Sequence, residues 1–472
     1  MTIRSRTGKC SRFVLLLLVI LIPSCKSTTT EFISIKDPVI ALEHVRVIDG
    51  TGADAREDQT IIIDSGRIAA IGPTGEISIP ASATSLNLSG HTALPGLVGM
   101  HNHLFYATDR GERYVVAGET FPPLYLASGV TTIRTAGALD LGADQEVKKS
   151  VDAGELAGPK IHLSSPYINK GVGKSLDPQQ LTGLINGWAD QGVTSLKIYE
   201  HINRSELLTA IGAAHNRGVK VTGHLCAVGF VEAARIGIDN LEHGLAVDTE
   251  FYSRKKLDVC PSRSEWLPEL TRIDVKSERV QEMIRELVSH RVAITSTLAI
   301  FEAFIDEKFQ LDPRMRDVLG ENSFAELDRH LVTRRADPRW SRVWEVVLKK
   351  EMEFEREFVK GGGLLMAGVD PTGWGAVVAG FGDHRNLELL VEAGFSPEEA
   401  IRIATLNGAT FLNEDARIGS LTTGKHADIL IVRGNPAASI RDVRNVHLVF
   451  KDGVGYDPAK LLESVRGSVG QR

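Results

Sequence analysis

The chain has 472 residues, of which 43% are hydrophobic and 24% are charged, and its formal net charge is −6. This composition is typical of a globular protein and excludes a largely disordered chain. The sequence has no long basic block, which excludes nucleic acid as a partner, because such a site needs clustered lysine and arginine.

The first 25 residues predict an export signal. Four basic residues precede the apolar run FVLLLLVILIPS, which ends at Cys25. A basic segment before a short apolar one is typical of a signal peptide, and a spanning helix would need about 20 apolar residues. The ending IPSC resembles a bacterial lipobox and predicts lipidation of Cys25, although Pro23 departs from the usual pattern and leaves soluble secretion open. We expect an exported, periplasmic protein, anchored by lipid to the outer membrane.

Strand-like runs occupy two separated segments of the chain. Runs rich in valine and isoleucine lie between residues 39 and 94, and the same pattern returns in HADILIVRG, VHLVFKDG and VGYDP. Asp-Gly and Ser-Gly turns separate these runs, which is typical of antiparallel hairpins. We therefore predict one small β-sandwich domain built from residues 26–94 and 416–456, followed by a tail over residues 457–472.

Residues 95–415 alternate strand-like runs with helical stretches. Repeated βα units form a parallel sheet, and eight of them fit a (β/α)₈ TIM barrel. The predicted fold class is therefore α/β, a TIM barrel with a small β-sandwich domain built from both termini. The charged helical stretch over residues 324–358 is expected to cap the barrel mouth. The eight predicted strands lie in LPGLVGMHNH, GVTTIRTAG, PKIHLSS, VTSLKIY, VKVTGHL, DNLEH, VAITSTL and LLMAGVD.

The functional side chains of a barrel lie at the carboxyl ends of its strands. His101 and His103 are two residues apart in an extended run, so both imidazoles point to the same side. Imidazole and carboxylate groups bind Zn²⁺ and similar divalent metals, so the strand ends predict a metal site. A turn or a helix cap at DPTG is the alternative for Asp370. The other strand ends carry Lys197, His224, His243 and Asp370.

These motifs resemble those of the amidohydrolase superfamily. LPGLVGMHNHL is similar to its first-strand signature, and GSLTTGKHADILIV is similar to its return into the small sheet. EAGFSPEEAIRIATLNGATFL resembles the preceding helix in the imidazolonepropionase-like and prolidase-like branch. The resemblance covers nearly all of the sequence after the signal. It implies a metal-dependent hydrolase acting on carbon–nitrogen bonds.

The resemblance also implies a binuclear site through Lys197. An ammonium group has no acceptor and cannot bind a cation. In the binuclear members of this superfamily, however, a lysine after the fourth strand is carboxylated by CO₂ and bridges two metals. A salt bridge is the alternative role for Lys197. Relatives with a single metal lack this lysine, and the deaminases have a glutamate where this chain has Ala227.

By the same resemblance, the more buried metal is held by His101, His103, Lys197 and Asp370, and the more exposed one by Lys197, His224 and His243. The expected metals are two Zn²⁺ ions, with Mn²⁺ or Co²⁺ as alternatives. A hydroxide between them would attack a carbonyl carbon, while Asp370 would accept its proton and pass it to the leaving nitrogen.

Three further residues have expected roles near the substrate. Tyr199 is expected to hydrogen-bond the developing oxyanion, or else only to pack. His384 is expected near the substrate, or else at a helix start that faces solvent. Arg134 is expected to pair with a substrate carboxylate, or else with a structural one.

The expected substrate is a dipeptide or an N-acyl amino acid. The alternatives are a cyclic amide, as in imidazolonepropionase-like or hydantoinase-like enzymes, a lactone, or a non-catalytic lipoprotein that binds a ligand. The membrane is expected as a partner only through the lipid, and a homo-oligomer is left open. Cys226 and Cys260 are expected to be buried free thiols, although a disulfide is conceivable in an oxidising compartment.

Overall fold

The computed structural model describes residues 29–168, 177–305, 309, 311–335 and 339–471. The predicted signal and the lipidation site at Cys25 lie outside these residues. Within the described ranges, no helix has both the length and the apolar character that a membrane span requires.

The strands, in chain order, are β1 (Ile33–Ile35), β2 (Val39–Val47), β3 (Arg56–Asp64), β4 (Arg67–Pro73), β5 (Thr84–Asn87), β6 (His91–Pro95), β7 (Leu97–Asn102), β8 (Phe105–Thr108), β9 (Arg113–Val116), β10 (Val130–Thr135), β11 (Lys160–His162), β12 (Ser164–Ile168), β13 (Ser195–Ile198), β14 (Lys220–Gly223), β15 (Asn240–Glu242), β16 (Ala293–Ser296), β17 (Leu365–Ala367), β18 (Ile429–Arg433), β19 (Val446–Lys451) and β20 (Val454–Tyr456).

The α-helices are α1 (Phe121–Ala127), α2 (Leu141–Asp152), α3 (Pro178–Asp190), α4 (Arg204–His215), α5 (Phe230–Ile236), α6 (Arg263–Leu270), α7 (Glu278–Ser289), α8 (Leu298–Glu302), α9 (Met315–Val318), α10 (Glu321–Arg335), α11 (Arg339–Lys360), α12 (Phe381–Glu392), α13 (Pro397–Ile403), α14 (Leu406–Phe411) and α15 (Pro458–Ser464). Short 3₁₀ helices cover Thr29–Phe32, Asp109–Gly111, Gly244–Val247, Gly373–Gly375 and Ile440–Arg444.

Strands from both ends of the chain form one sheet. Its order is β1-β20-β19-β18-β6-β2-β3-β4, with β5 paired to β2. The two ends meet where β6 and β18 run antiparallel, with Leu94 opposite Leu430. The prediction of one β domain from both termini agrees with this sheet. The predicted β-sandwich differs from this arrangement, because all nine strands belong to one hydrogen-bonded sheet. Strand β2 links its parts by bonding to both β5 and β6.

The two faces of this sheet lie in different cores, because side chains alternate along a strand. Ile429 and Ile431 belong to a core of the sheet's own, together with Ile61 and Ile63. Leu430, between them, belongs to the large core of the helices and parallel strands. The sheet is therefore packed onto the rest of the protein by one face.

Nine parallel strands form the centre of the α/β region. β7, β10 and β11 make a three-stranded sheet, and β12 to β17 make a six-stranded one. Each of the eight predicted runs contains such a strand, and the run PKIHLSS contains β11 and the start of β12. The two sheets bond to each other at two places: Ala138 N, just after β10, donates to Ser165 O of β12 (3.1 Å), and Asp370 N, just after β17, donates to His101 O of β7 (2.8 Å).

Helices cover the parallel strands with apolar stripes. In α7, the residues Val280, Met283, Ile284 and Leu287 are buried, and their spacing places them on one helix face. The charged stretch predicted as a cap forms α10 and α11. The Trp344 ring of α11 stacks on Phe301 at 5.5 Å, and Phe301 lies 6.0 Å from the His243 ring. Helix α11 therefore lies beside the strand end that carries His243.

Two other segments differ from their prediction. Cys226 and Cys260 form a disulfide, with Cα atoms 5.0 Å apart, because the segment before α6 folds back over the loop after β14. The prediction of free thiols was wrong.

The segment predicted as a tail, residues 457–472, contains helix α15, whose Leu461 is fully buried. Val469, further along the same segment, forms a β-bridge with Leu319.

Candidate metal centre

His101, His103 and Asp370 meet at the carboxyl ends of β7 and β17. The Asp370 Oδ1 atom lies 3.3 Å from His103 Nε2 and 3.8 Å from His101 Nε2. His243, after β15, brings its Nε2 to 4.0 Å from Asp370 Oδ2. Ligand atoms of His101, His243 and Asp370 all lie within 4.8 Å of one another, a spacing that could hold a metal ion.

His224 and Lys197 complete the cluster from the adjacent strands. The His224 ring is centred 4.6 Å from the His243 ring, which is itself 4.5 Å from the His101 ring. Lys197, in β13, is opposite Thr222 of β14 in parallel register. The structure therefore brings all six predicted metal-binding side chains into one cavity, whose walls are completed by Phe105, Tyr114, Tyr167, Tyr199 and Thr372.

The backbone is strained at two of these residues. His243 has φ of 70° and Asp370 has φ of 47°. Both values lie in the left-handed region, which residues other than glycine seldom adopt. Such conformations persist only where the surrounding structure enforces them, and they cluster at functional sites. After His243, the carboxylate of Glu351 on α11 accepts a 2.6 Å hydrogen bond from Ala246 N. This bond anchors the turn that carries His243.

The protonation states of the cluster suit a cation. Burial lowers the pKa of all four histidines, that of His103 to about 4. They are therefore neutral at pH 7, the form that binds metals. Burial opposes ionisation of Asp370, but its interactions with His101 and His103 outweigh this and lower its pKa.

Lys197 fits poorly as a simple ammonium ion. Its Nζ is buried and finds no hydrogen-bond partner in the described part of the chain. The nearest carboxylate oxygen, Glu242 Oε1, is 4.0 Å away. Burial lowers the pKa of Lys197, which favours the neutral amine. Lys197 is therefore a buried amine beside four imidazoles, without a hydrogen-bond partner among the described residues.

Behind the cluster lies a buried carboxylate that sequence reasoning missed. Glu242 is fully buried and accepts a hydrogen bond of 2.7 Å from Arg134 Nη2. Arg134 also donates to the carbonyl oxygen of Met100. Arg134 therefore has the structural pairing that was its alternative role, and it does not line the cavity. The motif LEHG, with an acid directly before the ligand His243, is the signal that could have indicated Glu242.

Tyr199 and His384, the other two residues predicted near the substrate, lie in different parts of the structure. Tyr199 lines the cavity, and its ring lies 4.9 Å from that of His224. His384 lies elsewhere: its Nε2 donates to Ser128 O (2.8 Å), and its Nδ1 accepts from Arg314 Nη1 (3.3 Å). Both ring nitrogens are thus used by the fold, and the structure places His384 neither near the cavity nor in solvent.

Sequence reasoning also missed Glu200, at the rim of the site. Its Oε1 lies 3.4 Å from His224 Nε2, and a quarter of its side chain, 25%, is exposed. Glu200 stands three residues after Lys197 in a loop, where neither strand alternation nor a motif indicates its direction.

Another cavity, of about 410 Å³, lies between α8 and α12. Its charged groups already neutralise one another, since Arg385 bonds Glu302 at 2.6 Å and Glu388 at 2.7 Å. The lining of this cavity includes none of the six predicted metal-binding side chains. The smaller cavity at the strand ends is therefore the candidate site.

Comparison with known proteins gives a family match over part of the chain. Residues 364–454 match the amidohydrolase family. Adenine deaminase 2 of Jannaschia sp. (strain CCS1) is 37% identical over 119 residues, which are 23% of this chain and 19% of that protein. An imidazolonepropionase of Nocardia farcinica is 30% identical over 143 residues, or 30% of this chain and 34% of that protein. The chain thus spans between a fifth and a third of the length of these two relatives.

Solved structures match over much more of the chain. A putative prolidase from Bifidobacterium longum is 25% identical with a TM-score of 0.65, and the match covers 91% of this chain and 99% of that one. A Xaa-Pro dipeptidase with bound methionine has a TM-score of 0.66 at 21% identity, over 89% and 100% of the two chains. The family match therefore covers residues 364–454, and the solved structures show that the chain shares their overall fold.

Proposed function

We propose that the protein is a metal-dependent hydrolase that cleaves the amide C–N bond of a dipeptide or an N-acyl amino acid. The observation that carries this proposal is the convergence of six donor side chains, from distant parts of the sequence, on one cavity. The match of residues 364–454 to the amidohydrolase family supports the same reaction class. The likeness of the whole fold to that of a Xaa-Pro dipeptidase supports a peptide-like substrate.

The donor set fits two divalent cations. His101, His103 and Asp370 would hold one ion, and His224 and His243 the other, with Lys197 as a CO₂-derived carbamate between them. The unsatisfied, buried Lys197 amine supports this assignment. Zn²⁺ is the first candidate because imidazole and carboxylate suit it, with Mn²⁺ or Co²⁺ as alternatives. When bound, the ions would supply Lewis acidity and lower the pKa of water.

The chain's own residues would then handle protons and orientation. Asp370, whose carboxylate touches two imidazoles, would accept the proton of the attacking water and return it to the leaving nitrogen. The Tyr199 hydroxyl would donate to the oxyanion as it forms. The aromatic walls would exclude bulk water from the reacting bond.

The fold and location of the protein extend this proposal. We propose that the two parallel sheets form one closed (β/α)₈ barrel, since hydrogen bonds join the segment after β10 to β12 and the segment after β17 to β7. We also propose that the chain is exported, with Cys25 as the lipid attachment point. The Cys226–Cys260 disulfide is in keeping with an oxidising compartment such as the periplasm.

A second candidate is the hydrolysis of a cyclic amide or a lactone. The local likeness to an imidazolonepropionase favours it, and the same cavity chemistry serves either carbonyl. A panel of dipeptides, N-acyl amino acids, hydantoins and lactones would separate these substrates. Turnover of cyclic compounds alone would replace the first candidate with the second. No turnover by fully metal-loaded protein would favour a ligand-binding protein instead.

The decisive experiment compares Lys197→Ala with wild type. We expect wild type to hold about two metal ions per chain, measured by elemental analysis, and the variant to lose metal and activity together. A short carboxylic acid added to the variant should restore part of both, because it replaces the carbamate. The matched control is Lys220→Ala, since Lys220 lies over the Phe411 ring at 4.7 Å and does not line the cavity. Retention of both ions by Lys197→Ala would contradict the assignment.

A further inference from the structure

We infer that Glu200 binds the free α-ammonium group of the substrate, and that unblocked peptides, in preference to N-acyl amino acids, are the substrate class. The inference rests on the proposed amide hydrolysis. It selects between the two linear substrates that the cavity chemistry alone leaves open.

Glu200 lies where an ammonium group beside the scissile carbonyl would arrive. Its Oε1 is 3.4 Å from His224 Nε2, so the carboxylate touches a side chain of the metal cluster itself. In an unblocked peptide, the α-ammonium is two bonds from the carbonyl carbon under attack. A group that binds this ammonium must therefore lie close to the residues that would hold the ions, and Glu200, beside His224, meets that condition.

The charges around the cavity favour a cation at this position. Among the described residues that line the cavity, the carboxylate of Asp370 is already engaged by two imidazoles. None of the lining residues is an arginine, and Lys197 is the only lysine. Apart from Lys197, the lining therefore offers no cationic side chain for a substrate carboxylate, whereas the rim offers the Glu200 carboxylate, whose arginine partner is Arg263.

The present partner of Glu200 can be exchanged for a substrate. Arg263 Nη2 is 3.9 Å from Glu200 Oε1, and the Arg263 side chain is 54% exposed. Such a long, exposed ion pair contributes little free energy, so a substrate ammonium can take its place. The Tyr199 ring, packed 5.4 Å from Tyr167 and 4.9 Å from His224, adds an aromatic face next to Glu200.

An N-acyl substrate lacks this interaction. Acylation replaces the ammonium with a neutral amide that carries no positive charge for Glu200. The carboxylate would then be desolvated by the substrate without a cation in return, which is unfavourable. The site is therefore expected to reject blocked substrates through Glu200.

The test compares Glu200→Gln with wild type on a dipeptide and on the N-acetyl form of the same dipeptide. We expect kcat/KM for the free dipeptide to fall about 10- to 100-fold, as for loss of one charged hydrogen bond. The acetylated substrate should change by less than about threefold. The control is Glu286→Gln. Glu286 lies on α7, is 27% exposed, and pairs with Arg235 of α5 at 3.0 Å. This variant should change kcat/KM for neither substrate.

Binding supplies a readout that does not depend on turnover. Calorimetry should show that metal-loaded wild type binds L-leucine more tightly than N-acetyl-L-leucine, and that Glu200→Gln removes the difference. Elemental analysis should show unchanged metal content in Glu200→Gln. Loss of metal would overturn the inference and make Glu200 a ligand, and an equal loss on both substrates would also overturn it. If wild type hydrolyses no amide but still prefers L-leucine, the proposed reaction fails and the ammonium site stands.

Discussion

The Nδ1 atom of His101 donates a 2.7 Å hydrogen bond to the carboxylate of Glu242, which lies fully buried behind the metal cluster. This bond leaves Nε2 of His101 as the nitrogen available to a metal ion and fixes the orientation of the ring. Arg134 in turn holds Glu242 at 2.7 Å. The position of one ligand therefore depends on a buried ion pair that never touches the substrate.

Glu242→Gln should weaken metal binding about 10- to 100-fold, the usual cost of removing such a support. The amide retains the shape of the side chain but gives up the charge that Arg134 and His101 require. Metal affinity is measured by competition with a chelating dye. Glu388→Gln is the control, because Glu388 is also buried beside an arginine, at 2.7 Å, but lies outside the cavity. Equal affinity in Glu242→Gln and wild type would contradict a supporting role.

Gly244→Ala should displace His243 and reduce metal content. Gly244 has φ of +61°, and an added Cβ would collide with the Glu351 carboxylate. The matched control is Gly237→Ala, since Gly237 has φ of +109° but its nearest neighbour, Ile211, is 3.6 Å away. The control should lose stability through backbone strain but keep its metal. Full metal content in both variants would show that the turn after His243 tolerates displacement.

Glu355 should make stability fall as pH rises. Burial raises the pKa of this carboxyl from 4.5 to about 8. Between these values the folded chain holds one more proton than the unfolded chain. The free energy of unfolding therefore falls with rising pH, by up to about 1.4 kcal/mol per pH unit. The loss is complete above the folded pKa.

Glu355→Gln should remove this dependence. Urea unfolding at pH 5, 6, 7 and 8 should show the variant gaining on wild type as pH increases. Glu353→Gln, at a position 41% exposed on the same helix, should follow wild type at every pH. A constant difference between Glu355→Gln and wild type across the range would mean that the carboxyl does not titrate in the fold.

The disulfide should stabilise the loop beside His224. Cys226 is paired with Cys260 across a sequence separation of 34 residues, and closure of such a loop contributes about 2–4 kcal/mol. A Cys226→Ser/Cys260→Ser variant should lose this amount in denaturant unfolding. Wild type treated with a reducing agent should match it, and the variant should not respond to the reductant. A response of the variant would point to some other effect of the reductant.

The clustering of the six candidate ligands could be predicted because strand periodicity determines it. Each lies at the carboxyl end of a parallel strand, where the fold gathers side chains whatever their distance in sequence. His101 and His103 were the strongest signal, because two adjacent histidines at a strand end are costly as core residues.

The supporting residues could not be predicted, because they depend on contacts between distant segments. Glu242 and Arg134 are 108 residues apart, and nothing local indicates that they pair. His384 of α12 also bonds the carbonyl oxygen of Ser128, which is 256 residues away in sequence. The approach of Cys226 and Cys260 likewise depends on how a long loop folds back, which composition does not encode.

The pairing of β6 with β18 has a consequence for biosynthesis. The Thr92 hydroxyl bonds the carbonyl oxygen of Gly434, which is synthesised 342 residues later. Until then, β6 leaves the ribosome as an uncovered edge, a feature prone to aggregation. A nascent chain that stops before residue 429 cannot complete this sheet, so the small domain assembles only after the strands β18 to β20 have been synthesised.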